Sequence, residues 1–148
     1  MTLRLRLIVP IFLGAGLMLS ACSEPEPTAA EAGQVLKNHI DQTVKQAFGA
    51  DIEVTDPGGK DIPCGNGKFK RSYAVKARAR VGSGDSEGIT LALVGTLDAI
   101  ASYDLVKAGM TPTYQQAVSE EFRTRIVLSS PSQGRIEVRG ETDCLPLK

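Results

Sequence analysis

Apolar and polar positions recur along this chain with two different periods. Between Thr28 and Gly49, the residues Ala32, Val35, Leu36, His39, Ile40, Thr43, Val44, Ala47 and Phe48 return at helical spacing. Thr28 is followed three residues later by Glu31, the pattern of a capping box, in which each partner satisfies the other's backbone N–H. These signals predict a first amphipathic helix. After Cys64 and the Asn66-Gly67 turn signal the period falls to two. Phe69, Tyr73, Val75, Ala77, Ala79 and Val81 alternate with Lys70, Ser72, Ala74, Lys76, Arg78 and Arg80, which predicts one long strand with a buried and a wet face. Helical spacing returns at Ile89, Leu93, Val94, Leu97, Ile100, Ala101, Leu105 and Ala108, with Asp85 or Ser86 as cap and Gly109 as stop. Within this second helix, Ala92, Gly95 and Ala99 are expected to let a neighbouring element approach closely.

Phe122, Thr124, Ile126 and Leu128 alternate with Arg123, Arg125 and Val127; beyond the turn residues Pro131 to Gly134, Ile136 and Val138 alternate with Arg135, Glu137 and Arg139. That is a C-terminal hairpin. Ile52 to Thr55 reads as a short strand of unreadable register, stopped by Asp56-Pro57-Gly58-Gly59, and Thr111 to Glu121 fits either a strand or an irregular turn. Helix, strand, helix, strand, strand is a poor order for a doubly wound parallel sheet. It predicts an α+β fold, an antiparallel sheet with two helices packed on one face.

The N-terminus changes where this fold is expected to operate. Arg4 and Arg6 precede an apolar run from Leu7 to Leu19, too short to span a bilayer comfortably, which ends in Leu19-Ser20-Ala21-Cys22. Residues 1–21 read as a cleaved signal peptide, and without adjacent arginines it reads as general Sec export. The four closing residues resemble the lipobox of bacterial lipoproteins. The resemblance implies a diacylglyceryl group on the Cys22 sulfur and cleavage after Ala21; two acyl chains suffice for stable anchoring. The plain alternative is an ordinary signal peptide that happens to carry Cys at its cleavage site. Residues 22–27 then form the lipidated Cys and a short charged, proline-containing tether, and residues 28–148 a single domain, expected to be a monomer. If the source cell has an outer membrane, Ser23 after Cys22 resembles the signal for sorting there.

With Cys22 assigned to lipid, Cys64 and Cys144 remain as an even pair in an oxidising compartment, and a disulfide is expected. A redox thiol or a metal ligand is the alternative, although neither cysteine has CxxC spacing and His39 is the sole histidine. The set Cys22, Pro63-Cys64-Gly65, Tyr73, Gly109 and Gly134 through Cys144 resembles a group of small actinobacterial lipoproteins, which have a lipobox, a Pro-Cys-Gly before a long strand, a central helix ending in Gly and a final hairpin closing on Cys. That likeness implies a fold and an address; it carries no functional residues.

The exported part of the chain is nearly balanced, with 15 Lys and Arg against 17 Asp and Glu, yet the charges are segregated. Residues 62 to 81 hold six bases and no acid, and residues 82 to 121 six acids and one base. Unbroken alternation places Lys70, Lys76, Arg78, Arg80, Arg123, Arg125, Arg135 and Arg139 together on the sheet face opposite the helices. Such a face suits an anionic partner at the envelope: lipid headgroups, an acidic polymer or an acidic protein surface. A solvated face that blocks unwanted edge pairing has the same composition, and Glu137 interrupts the row. Nucleic acid is not an expected partner outside the cell.

No nucleophile with its base, no spaced carboxylate pair and no metal-ligand motif stands out, so no catalytic or metal site and no cofactor is assigned. His39 falls on the apolar stripe of the first helix, where a partly buried, hydrogen-bonded side chain is the expectation. Gly65-Asn66-Gly67 and Gly82-Ser83-Gly84 lack the further Gly and Lys of phosphate loops and read as turns. The chain is therefore expected to be a lipid-anchored extracytoplasmic binding module, not an enzyme, with a lipid-carrying or structural envelope role, or a hydrolase with an unrecognised site, as the alternatives.

Overall fold

A computed structural model describes residues 25–80 and 84–148. The signal segment, Cys22, Ser23, Glu24, Val81, Gly82 and Ser83 lie outside the described residues. Two helices, α1 (Ala29–Gln46) and α2 (Ser86–Ile100), pack on one face of an antiparallel sheet. The strands are β1 (Gly49–Asp56), β2 (Ile62–Gly65), β3 (Lys68–Lys70), β4 (Ser72–Ala79), β5 (Asp104–Leu105), β6 (Tyr114–Ser119), β7 (Thr124–Ser129) and β8 (Arg135–Thr142). Six of them make the main sheet in the order β1-β4-β8-β7-β6-β5, and β2 and β3 form a separate hairpin. The fold class is α+β, as the periodicity predicts.

The capping box at the start of α1 is formed: the Glu31 N–H donates to Thr28 Oγ1 at 3.2 Å and the Thr28 N–H to Glu31 Oε2 at 2.8 Å. Leu36, Ile40 and Val44 descend from its inner face onto Val75, Ile126, Leu128, Ile136 and Val138 of the sheet, and Ile89, Leu93 and Leu97 of α2 complete the core. α1 runs so close to β8 that a Cβ on Gly140 would stand 2.6 Å from Leu36 Cδ1 and 2.7 Å from the Arg125 carbonyl oxygen. Only a residue without a side chain fits there.

Three local expectations change. The stretch from Phe69 to Val81 is not one strand. Asn66 and Gly67 both take positive φ, which closes the tight β2–β3 hairpin. The chain then breaks at Arg71, whose side chain packs across Gly33 of α1 and donates to Asp61 at 2.7 Å, and it re-enters the main sheet as β4. Secondly, α2 stops at Ile100 instead of Gly109. Ala101 is fully extended, Tyr103 turns inward, and Asp104 and Leu105 pair with β6. Thirdly, Gly95 makes no close approach, since a Cβ there would meet nothing within 4 Å.

Cys64 and Cys144 come together as a disulfide with their Cα atoms 6.1 Å apart. The bridge joins the β2–β3 hairpin to the chain just after β8. The two long strands flanking it, β4 and β8, are neighbours in the sheet, with Arg78 opposite Arg135 at one end and Ser72 opposite Glu141 at the other. Beside the bridge lies a second small core of Ala29, Ala32, Leu145 and Phe69, where the Ala29 N–H also donates to the Pro146 carbonyl at 2.8 Å. The start of α1, the hairpin and the chain end are thus clamped at one pole of the molecule.

Candidate functional site

On β4, Tyr73, Val75 and Ala77 are buried against the helices, so Ser72, Ala74, Lys76 and Arg78 point to the open face. Register carries the face across the sheet. From the clamped pole outward its rows are Ser72, Glu141 and Arg125; Ala74, Arg139, Val127 and Gln116; Lys76, Glu137, Ser129 and Tyr114; then Arg78 and Arg135. Five of the eight expected basic residues, Lys76, Arg78, Arg125, Arg135 and Arg139, therefore share this face. Arg80, just past the end of β4, lines the same depression as Arg78 and Arg135.

Lys70 and Arg123 do not belong to it. Lys70 lies on β3, outside the main sheet, and reaches in only to pair with Glu141 at 2.7 Å. Arg123 lies in the β6–β7 turn with φ 53° and is paired with Asp143 at 2.8 Å and Glu26 at 3.4 Å. The simple alternation fails at both positions because the chain has left the pleat. Nor is the face uniformly basic. β1, whose register could not be read, adds Asp51 and Glu53 beside Arg78 and Lys76, and Glu141 joins Glu137 on β8.

The pairings divide the basic residues by position. At the clamped pole they are held closely: Lys70 to Glu141, Arg71 to Asp61 and Arg123 to Asp143, all within 2.8 Å. In mid-sheet they are loose, with Lys76 and Arg125 each 3.9 Å from a glutamate. Arg80, Arg135 and Arg139 are exposed and have no ion-pair partner among the described residues.

Arg139 and Arg125 border an open depression of about 410 Å³ together with Tyr114, Gln116, Ser72 and Asp56. The Asp56 carboxylate accepts from the Ser72 hydroxyl at 2.5 Å and from the Gly58 N–H at 2.9 Å, and these bonds hold it below the ordinary carboxylate range. It stays ionised, its oxygens already occupied. Glu141 lines the same depression 3.9 Å from Arg125, so Arg139 is its guanidinium without an ion-pair partner among the described residues, and it can take an oxyanion.

Two polar clusters that spacing did not reveal lie on the helix side. Tyr73 donates to Asp41 Oδ1 at 2.7 Å, and Lys37 donates to Asp41 Oδ2 at 3.0 Å and to the Tyr73 hydroxyl at 2.9 Å, with its ammonium 4.2 Å from the ring centroid. The hydrogen bond to Tyr73, with that to Asp41, raises Lys37, while burial raises Tyr73. An ammonium and a phenol so fixed stay protonated, and they clip α1 to β4. In the other cluster His39 Nδ1 lies 3.0 Å from the Tyr103 hydroxyl, itself 2.8 Å from Thr124 Oγ1, and Phe122 stands edge-on to the imidazole. Burial lowers His39 and raises Tyr103.

Between α2 and β5 runs an open apolar groove, two adjoining depressions of about 530 and 320 Å³ that share Leu91, Val94 and Leu105. Leu91 is 70% exposed and Leu105 44%, and Gly95 opens the wall between them. Among the described residues no helix is long and apolar enough to cross a membrane. Comparison with protein-family models, with curated proteins and with solved structures finds no match for this chain.

Proposed function

We propose that this chain is a membrane-anchored extracytoplasmic lipoprotein that works as a binding module, taking an anionic envelope partner on the open face of its sheet, and not as an enzyme. The observation that carries the reading is the set of exposed guanidinium groups, Arg80, Arg135 and Arg139, without a carboxylate partner among the described residues, with Arg125 only loosely held. Desolvated clusters elsewhere are internally paired, whereas these donors face solvent in open depressions. The address rests on the lipobox-like Leu19-Ser20-Ala21-Cys22 and on a cysteine pair suited to an oxidising compartment.

Native mass spectrometry of the protein purified from its own membrane, intact and then reduced, tests both parts. The expected result is a diacylglyceryl mass on Cys22 and a co-purifying anionic species that leaves as salt rises and is lost in R80E or R135E. An unmodified Cys22 overturns the address. An acylated protein whose binding is indifferent to salt and to both reversals overturns the binding face. A second reading has its own observation, the apolar groove beside α2: a carrier would hold a lipid there. Gly95→Leu projects into that groove from a Cβ position with nothing within 4 Å, so it weakens neutral lipid binding under the second reading and leaves anion binding intact under the first.

A further inference from the structure

Arg78 and Arg135 are direct cross-strand partners on the open face. Like charges placed so are destabilising, yet the next basic residue on the same chain, Arg80, is added to the same depression of about 680 Å³. Asp51 is the one acid lining that depression, while Glu53 and Glu137 border Arg78 and Arg135 from the adjoining one. Asp51, turned out by a β-bulge at φ 49°, accepts from Arg78 Nε at 2.7 Å and from its terminal nitrogen. That pair is itself open to water, with 65% of the Arg78 side chain and 61% of the Asp51 side chain exposed, so it holds weakly.

Building on the binding function proposed above, we infer that Arg78, Arg80 and Arg135 form the anion site proper, that its ligand is a phosphate group, and that this phosphate belongs to a partner beyond the anchoring membrane. A carboxylate offers only two oxygens, and in the Arg78–Asp51 pair both guanidinium nitrogens converge on one of them, Oδ2. A phosphate offers three acceptor oxygens and bridges several forks. Asp51 occupies Arg78 in place of that ligand and competes with it.

The source follows from polarity. Glu26 pairs with Lys68 and Arg123 at the clamped pole, and it lies four residue steps from Cys22, a reach of about 14 Å at most. The arginine cluster lies at the opposite pole, some six residues or about 20 Å along β4. With the tether leading away from the sheet, this exceeds twice the Debye length of about 8 Å at physiological salt, and the field of the anchoring headgroups is then screened at the cluster. Near the anchor Lys70, Arg71 and Arg123 are each closely paired with an acid, whereas in the distal cluster only Arg78 is.

Fluorescence anisotropy with a labelled short linear polyphosphate, on the full chain in detergent, reads this site. R80E/R135E is expected to weaken binding about tenfold or more, R123Q at the anchor pole to leave it unchanged, and D51N to strengthen it about threefold by removing the competitor. A labelled polyglutamate should bind more weakly than polyphosphate. Equal losses in R123Q and R80E/R135E, or equal affinity for polyglutamate, overturn the inference and leave the wider basic face standing. Phosphatidylglycerol doped into the detergent micelles, detected by native mass spectrometry, separates the sources: if it is retained by the unaltered chain and lost in R80E/R135E while polyphosphate does not bind, the phosphate is the membrane's own and the inference fails. An unaltered chain that binds neither probe removes the inference and the proposed function together.

Discussion

His39 illustrates how a single side chain can belong to the core and still respond to pH. Its helical phase places it on the apolar stripe of α1, which the sequence discloses, but its partner Tyr103 is 64 residues away and no local pattern connects them. Burial pushes the imidazole below its ordinary value of 6.5, against a weaker pull from Glu121 in the other direction. A histidine with a depressed folded value takes up its proton more readily in the unfolded chain. Its contribution to stability is therefore complete above pH 6.5 and declines as the pH falls below it and through the folded value. Thermal unfolding of the full chain should show a lower midpoint at pH 5 than at pH 7.5, and H39Q should flatten that interval. An equal slope in H39Q would place the dependence on another group.

At the scale of elements, the best-read pieces are those whose local chemistry and tertiary role agree. α1 combines a formed capping box with an i, i+4 row of Leu36, Ile40 and Val44, all fully buried. β4 keeps strict alternation because it sits mid-sheet between β1 and β8. The edges are less legible. β1 carries two register shifts that break its alternation, and β6, Tyr-Gln-Gln-Ala-Val-Ser, shows no apolar row because only Ala117 and Ser119 are buried. α2 was overextended because Leu105 and Ala108 continue its period, whereas Tyr103 and the β5–β6 pairing draw the chain away; Leu105 ends up 44% exposed beside the groove. Close packing of α1 on β8 depends on Gly140, a contact no spacing announces. Gly140→Ala should cost about 1–3 kcal/mol, the usual range for overpacking a core, measured by urea unfolding. Gly95→Ala, with open space around its Cβ in mid-helix, should not lower stability and should gain about 0.5–1 kcal/mol from helix propensity. If Gly140→Ala were neutral, α1 would be shown to lie further from the sheet.

Across the whole molecule, polarity links stability to the candidate site. One pole gathers the disulfide, the β2–β3 hairpin, the start of α1, the chain end and the paired bases; the other gathers Arg78, Arg80 and Arg135. The cysteine count forecast the bridge and the charge runs forecast a basic face, but the split of that face needed the bulge at Asp51 and the excursion of Lys70 and Arg123, neither of which is periodic. The bridge spans a sequence separation of 80, for which the chain-entropy estimate of its contribution is about 4–5 kcal/mol. Its loss acts mainly on the unfolded state, because β4 and β8 remain joined from Ser72–Glu141 to Arg78–Arg135 by their own ladder. Reduction, or a C64S/C144S double substitution, should therefore move the urea midpoint strongly downward while polyphosphate binding in the absence of urea persists. A large loss of binding in the folded, reduced protein would mean that the clamped pole also sets the geometry of the far end of the sheet. An unchanged midpoint would mean that the ladder and the small core around Leu145 already hold that pole without the covalent link.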